Sequence, residues 1–274
     1  NSESSKKLGL TLTNEHLHCQ TLKRNLWPRP EKKDCMRNWK VTVQYDGAEY
    51  SGWQIQPDQQ TVQEEIQLVL EKIYTQPCRV EGSGRTDSGV HSLGQVFSFR
   101  EPRKTSFTEQ SLPRALNSLL PGGIKILRAE EVSDDFHARF SAVGKTYIYL
   151  IEQSRHFNPF LRQYSWNRRY DFDLDKARQA LKLFEGEHDF ASYAVKSMNP
   201  KQTTVRTIYK ASLEEWQGMI LLRFTGNGFL YKMVRSLTGQ VVETACGLSE
   251  LSKIERLLQA KDRFKIAQVA PAKG

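Results

Sequence analysis

Regular alternation of apolar and polar residues begins at Trp39, where "WKVTVQY" puts Trp39, Val41, Val43 and Tyr45 on one side of an extended chain. That two-residue period predicts a strand with one buried face. The period then changes: Val62, Ile66, Val69 and Ile73 recur at three- and four-residue spacing, which predicts an amphipathic helix over 61–74. Strand-like runs follow at 78–82 and 94–100. A helix is expected near 108–119, holding Pro113 in its first turn or breaking there, and "IKILRAEEV" at 124–132 reads as another strand.

This order of strand, helix, two strands, helix and strand is the ferredoxin-like arrangement, and the pattern predicts it twice. "KTYIYLIEQ" at 145–153 alternates as a strand, "LDKARQALKLF" at 174–184 has helical spacing, and 204–225 reads as a hairpin turning near Gln217-Gly218. Helices are expected over 229–245 and 250–259, and no residue-level repeat accompanies the repeated architecture. The expected fold class is α+β. Two ferredoxin-like halves, 37–139 and 140–274, would form one continuous, mostly antiparallel sheet with helices on one face and a cleft between the halves. Residues 1–36 depart from this pattern; polar and Lys-rich, with Pro28 and Pro30, they read as an N-terminal extension.

Composition then narrows the classes. The 274 residues suffice for one large domain or two small ones. Cys19, Cys35, Cys78 and Cys246 are scattered without C-x-x-C spacing, so neither a zinc site nor a disulfide framework is indicated. The H-x-H pair His16 and His18 lacks a second ligand motif, the other histidines standing alone at 91, 137, 156 and 188, and no metal is expected. No window approaches about 18 uninterrupted apolar residues, and the start lacks the pattern of a signal peptide, which predicts a cytoplasmic protein. "TGNGFL" at 225–230 is Gly-rich but has no P-loop Lys, and no dinucleotide fingerprint occurs.

A net charge of +9 and a pI near 9.3 point to a polyanionic partner, because Lys and Arg that displace counterions from phosphates bind strongly and salt-sensitively. Basic clusters stand ready: Arg100, Arg103, Lys104 and Arg114, then Arg155, Arg162, Arg168 and Arg169. The candidate chemistry lies in "EGSGRTDSGVHSLGQVFSF" at 81–99, where Asp87 sits in a Gly- and Ser-rich run that continues into a strand. Small residues permit unusual backbone angles and the close approach of a polyanionic chain. Taken alone, the stretch favours the ordinary reading of an Asp capping a turn.

"GRTDSGVHSLGQVFSF" resembles the catalytic motif of the tRNA pseudouridine synthases of the TruA family, usually G-R-T-D-A-G-V-H-A, and departs from it at Ser88 and Ser92. Three further segments agree, in order: "VQYDGAEYSGWQIQP" at 43–57, "DDFHARFSAVGKTYIYLI" at 134–151 and "GNGFLYKMVRSLTG" at 226–239. The resemblance runs from about Arg37 to Gly274. It implies isomerisation of uridine to pseudouridine in the tRNA anticodon stem-loop, at uridines 38–40, by a homodimer. No cofactor is needed, since substrate and product are isomers.

The resemblance also implies roles. Asp87 would be the catalytic carboxylate, a nucleophile or base. Arg85 would help displace the target base and bind backbone phosphate, Tyr147 would stack on the uracil, and Arg235 would pair with Asp87. Tyr149, on the same strand face as Tyr147, keeps the reading of a core residue. A stacked uridine must be extruded at a cost of about a few kcal/mol, which stacking and phosphate contacts offset. The family continues with a Gly-Leu-rich strand of the "GLYL" type, so the half ending at Gly274 is expected to want its last strand, and "LGLTLT" at 8–13 is the segment available to pair there. A non-catalytic tRNA-binding or RNA-folding module would keep the basic cleft without needing Arg85, Asp87, Tyr147 and Arg235 together. An Asp-nucleophile hydrolase would need Mg²⁺ ligands or a second carboxylate that the motif does not supply.

Overall fold

A computed structural model describes residues 36–154, 158–168, 170–195, 203–262 and 268–274. Residues 1–35, with His16, His18, Cys19, Cys35 and the "LGLTLT" segment, lie outside the described residues, as do Arg155, His156 and Arg169. Met36–Gly274 form one compact unit.

The first sheet is built from β1 (Asn38–Tyr45), β2 (Glu81–Gly82), β3 (Ser92–Arg100) and β4 (Ile124–Val132), with α1 (Val62–Tyr74) and α2 (Ser111–Asn117) between them. Its order is β2-β3-β1-β4, with every pair antiparallel. The alternating residues of β1 are all buried, and α1 lays Val62, Ile66, Val69 and Leu70 into the same core. Pro113 sits in the first turn of α2, where a missing N–H breaks no helical hydrogen bond. β2 is shorter than the expected 78–82 because side chains of α1 take over its backbone: Gln63 Nε2 donates to Val80 O at 2.7 Å, and Val80 N–H donates to Gln67 Oε1 at 3.2 Å.

The second sheet contains β5 (Lys145–Glu152), β6 (Trp166–Asn167), β7 (Gly186–Asp189), β8 (Val205–Trp216) and β9 (Met219–Gly226) in the order β6-β5-β9-β8-β7. Only β6 runs parallel to its neighbour. The β8–β9 hairpin turns at Gln217 and Gly218, both at positive φ (48° and 75°), the two-residue geometry that matches strand twist. The helices α3 (Leu174–Lys182), α4 (Met233–Ala245) and α5 (Leu251–Ala260) complete this region. The side chain of Asp173 caps α3 by accepting from the backbone of Asp175 and Lys176. α4 starts later than the expected residue 229 because Lys232 adopts a left-handed conformation at φ 59°.

The expectation of one continuous sheet is corrected: the described strands form two separate sheets of four and five strands, each over its own hydrophobic core. Two of the edges, β2 and β6, are only two residues long, and such short edge strands do not template further pairing. Among the described residues no helix is long and apolar enough to cross a membrane.

Candidate active site

The segment joining β2 to β3 carries Arg85 and Asp87, and backbone bonds hold it in shape. Ser83 N–H donates to Val96 O (2.7 Å), Trp53 N–H to Thr86 O (3.2 Å), Gly89 N–H to Tyr50 O (3.2 Å), and Gln95 Nε2 to Gly84 O (2.7 Å). Tyr50 and Trp53 belong to the segment after β1, so "VQYDGAEYSGWQIQP" is the buttress of the Asp87 turn. Glycine makes the approach possible: a Cβ on Gly47 would lie 2.1 Å from Val90 O, and one on Gly52, at φ +94°, would lie 2.5 Å from Thr86 O. At the end of β1 the buried Tyr45 shares a 2.9 Å hydrogen bond with the Thr86 hydroxyl, beside Asp87.

Asp87 meets a cation from the second sheet region. Arg235 Nη1 donates to Asp87 Oδ2 at 3.0 Å, and the two side chains are 22% and 20% exposed, sheltered yet reachable. Oδ1 has no partner among the described residues, so one carboxylate oxygen is tethered and the other is open. Arg235 lies in the first turn of α4. Its Nε donates to Ala270 O at 2.8 Å, and Ala270 N–H returns a bond to Arg235 O at 3.0 Å. Gly239 lets the C-terminal segment lie that close to α4, since a Cβ there would sit 1.9 Å from Gln268 O.

Tyr147 projects from β5 and stands edge-on to Phe229, ring centroids 5.0 Å apart. Burial, and after it the negative charge of Asp87, holds the Tyr147 hydroxyl above the ordinary phenol range. The ring therefore faces the carboxylate as a neutral phenol. Burial raises Tyr45 in the same direction. Tyr149 is a buried core residue whose hydroxyl donates to Pro271 O (2.8 Å) and Lys273 O (3.1 Å). Arg85 is exposed, two residues from Asp87, and its side chain has no hydrogen bond or ion pair among the described residues.

The structure thus brings Asp87, Arg235 and Tyr147 together and leaves Arg85 exposed beside them. Sequence reasoning missed Tyr45, Thr86, Phe229 and the Gln268–Pro271 anchor; the dense aromatic content of 43–57 was the signal available for the first. Several basic residues proposed for RNA are occupied instead. Arg100 Nη1 pairs with Asp134 Oδ1 at 2.9 Å, Arg103 Nε donates to Tyr74 O at 2.9 Å, and Arg168 lies 4.8 and 4.9 Å from the Trp166 and Tyr170 rings. The side chains of Lys104, Arg114 and Arg162 have no such partner among the described residues.

Two other carboxylates are buried among the described residues, Glu152 and Glu101, and Glu101 accepts from Arg37 Nη2 (2.8 Å), Trp39 Nε1 (3.0 Å), Tyr74 OH (3.1 Å) and Thr105 Oγ1 (2.9 Å). It follows the far end of β3 from Asp87, a strand of nine residues or about 30 Å, and builds the fold. Among the described residues no group of three His, Cys, Asp or Glu could hold a metal ion.

A tether between an acidic turn and a helical Arg, with an aromatic ring beside the carboxylate, defines a carboxylate site open on one side. The family described as tRNA pseudouridine synthase matches residues 41–141 and 180–274, and the chain belongs to that family. It is 45% identical over 242 residues to tRNA pseudouridine synthase A of Lacticaseibacillus casei (strain BL23), covering 87% of this chain and 97% of that protein. It is 41% identical over 241 residues to the protein of the same name from Latilactobacillus sakei subsp. sakei (strain 23K), covering 87% and 96%. The Bacillus pumilus (strain SAFR-032) tRNA pseudouridine synthase A is 42% identical over 237 residues, covering 86% and 95%.

Proposed function

We propose that this chain isomerises uridine to pseudouridine in tRNA with Asp87 as the catalytic carboxylate. The observation that carries the reading is the 3.0 Å contact between Asp87 and Arg235, made across two sheets and beside the Tyr147 ring. Arg235 fixes Oδ2, leaving Oδ1 to attack the base or the sugar or to take a proton. An extruded uracil stacks on Tyr147, a contact worth about 1–3 kcal/mol, and stays in place while the C1′–N1 bond breaks and C1′ joins C5. The hydrogen at C5 leaves as a proton and N1 takes one up when its bond to C1′ is broken, so atoms balance without an oxidant. Arg85, exposed and unpaired, is free to meet the RNA backbone and hold the base extruded.

The substrate region is the anticodon stem-loop, at uridines 38–40, and the working form is a cytoplasmic homodimer; these rest on the family resemblance. Residues 37–139 and 140–274 act as ferredoxin-like halves, a reading supported for the first by its sheet order β2-β3-β1-β4. The test is direct. Given tRNA carrying [5-³H]uridine, the protein should release tritium to water in an amount equal to the pseudouridine formed, with no free uracil and no strand cleavage. Binding without tritium release would leave a tRNA-binding module, and free uracil would indicate a hydrolase.

A further inference from the structure

Lys145 opens β5 two residues before Tyr147, so strand alternation sends its side chain from the same face as the Tyr147 ring. Its stem crosses to the turn that carries Asp87. A Cβ placed on Gly84 would sit 2.5 Å from Lys145 Nζ and 3.3 Å from Cε, so the ammonium rests on the backbone just before Arg85. A side chain at 84 would push the flexible end of Lys145 off this position. Lys145 has no hydrogen bond or ion pair with any described residue.

Two further cations gather beside it. Burial lowers the Lys145 ammonium below the ordinary lysine range, and the positive charges of Arg139 and Arg206 lower it further. Arg206 comes from β8, across the sheet: Gly226 of β9 pairs with Lys145 on one side and Ile208 on the other. Arg206 Nη1 donates to Thr203 O (3.0 Å) and Val205 O (2.6 Å), leaving Nε and Nη2 without partners. Arg139 is exposed above the Phe140 ring. None of the three has a carboxylate partner among the described residues. Like charges disfavour one another, and a half-buried ammonium loses hydration without compensation, so this arrangement is costly until an anion enters.

We propose that Lys145, with Arg139 and Arg206, is a phosphate clamp that seats the RNA phosphodiester flanking the extruded uridine. The proposal rests on the isomerase reading and names one of its substrate contacts. Its geometry is that of a nucleotide: residues i and i+2 of a strand are about 7 Å apart, the span from a base on Tyr147 to its own backbone phosphate. A lysine ammonium acts as a point charge on a phosphate oxygen, and the unused Nε and Nη2 of Arg206 offer a second pair of donors.

The experiment uses the full chain and a tRNA anticodon stem-loop, with and without a neutral methylphosphonate at each linkage flanking the target uridine. Lys145→Met keeps the stem and removes the charge. It should weaken binding about tenfold and reduce the slope of log K against log salt by about one, while Lys145→Arg restores both. One of the neutral linkages should weaken wild-type binding about tenfold and leave Lys145→Met unaffected. Arg206→Gln repeats the cycle should Lys145→Met fail to fold. An unchanged salt slope in Lys145→Met, or a neutral linkage that weakens variant and wild type equally, would overturn the clamp. Failure of the isomerase reading appears elsewhere, as absent tritium release from the wild-type protein with this binding cycle intact.

Discussion

The two sheet regions contribute to one site by opposite means. The four-stranded region offers Asp87 and Arg85 on an irregular turn, shaped by Gly47, Gly52 and Gly89 and pinned by the backbone of Tyr50 and Trp53. The five-stranded region offers Tyr147 from the middle of a strand and Arg235 from the first turn of a helix. A turn can aim a carboxylate where no regular element could, and it needs a partner to stop it moving. Regular elements supply that partner with rotamers already limited by packing. With Asp87 as the proposed catalytic carboxylate, the difference teaches a division of labour in which the reactive group sits on the adjustable part and its restraints on the rigid part.

The largest expected effect comes from separating those restraints from the reactive group. Asp87→Asn, which keeps the shape, should lower tritium release by about 10⁴-fold while tRNA affinity stays within a few-fold, because phosphate contacts carry affinity. Arg235→Ala leaves the carboxylate present and unrestrained, and misplacement of that kind costs about 10²-fold. The double variant should be no slower than Asp87→Asn alone, since the arginine acts only through the carboxylate. Additive losses would mean that Arg235 touches the substrate independently and that the division of labour is wrong.

The same contrast decides what was legible in the sequence. β1, α1 and the β8–β9 hairpin followed their periods, because each is long enough to repeat. β6 and β7, two and four residues long, fall below any usable window. The expected continuity of the sheets failed because strand pairing across regions is a tertiary choice that periodicity does not encode. Asp87 stood out through its Gly-rich surroundings. Tyr147 and Arg235 obey the periods of strand and helix and look like packing residues, so only the family resemblance singled them out. Nothing in the sequence singled out Lys145, since its missing partner is visible only when the surrounding elements are assembled.

A smaller effect should follow from the glycines, one in each region. Gly47→Ala drives a methyl group towards Val90 O in the Asp87 turn, and Gly239→Ala drives one towards Gln268 O in the segment that holds Arg235. Overpacking of this kind costs about 1–3 kcal/mol, or about 2–10 °C in Tm for a domain of this size. Both variants should lose stability. Gly239→Ala should also slow catalysis with little change in tRNA binding, because Ala270 anchors the Arg235 guanidinium. A thermal melt with parallel kcat and KM measurements decides; a Gly239→Ala protein with full kcat would show that the C-terminal segment does not position Arg235.

The smallest expected effect lies in the polar latch that joins the two regions beside the active-site turn. Tyr164, between β5 and β6, donates to Asp46 Oδ2 at 2.6 Å, Asp46 Oδ1 lies 2.9 Å from His91 Nδ1, and His91 Nε2 lies 2.8 Å from Gln163 O. Burial acts to raise the Asp46 pKa, but hydrogen bonds from Tyr164 and Ala48 N–H and the proximity of His91 outweigh it, and the net shift is below 3.8. A carboxylate depressed by folding adds stability above its unfolded value and loses it as pH falls through the folded one. The same bond to Asp46 raises the Tyr164 hydroxyl above 10.0, so that contribution is present below pH 10.0 and lost as pH rises through the folded value. The Tyr164 bond is therefore worth most between these limits. For a pair this exposed the gain is about 0.2–1 kcal/mol, so Tyr164→Phe should lower Tm by about 1–3 °C near neutrality. The gap between variant and wild type should narrow as pH falls below 3.8 towards the depressed folded-state value of Asp46, where its carboxylate is protonated. Melts at pH 7 and pH 3 make the comparison: a gap of equal size at both would mean that the Tyr164 ring, tilted against His91 with centroids 4.9 Å apart, joins the regions by shape and that the charged hydrogen bond contributes nothing.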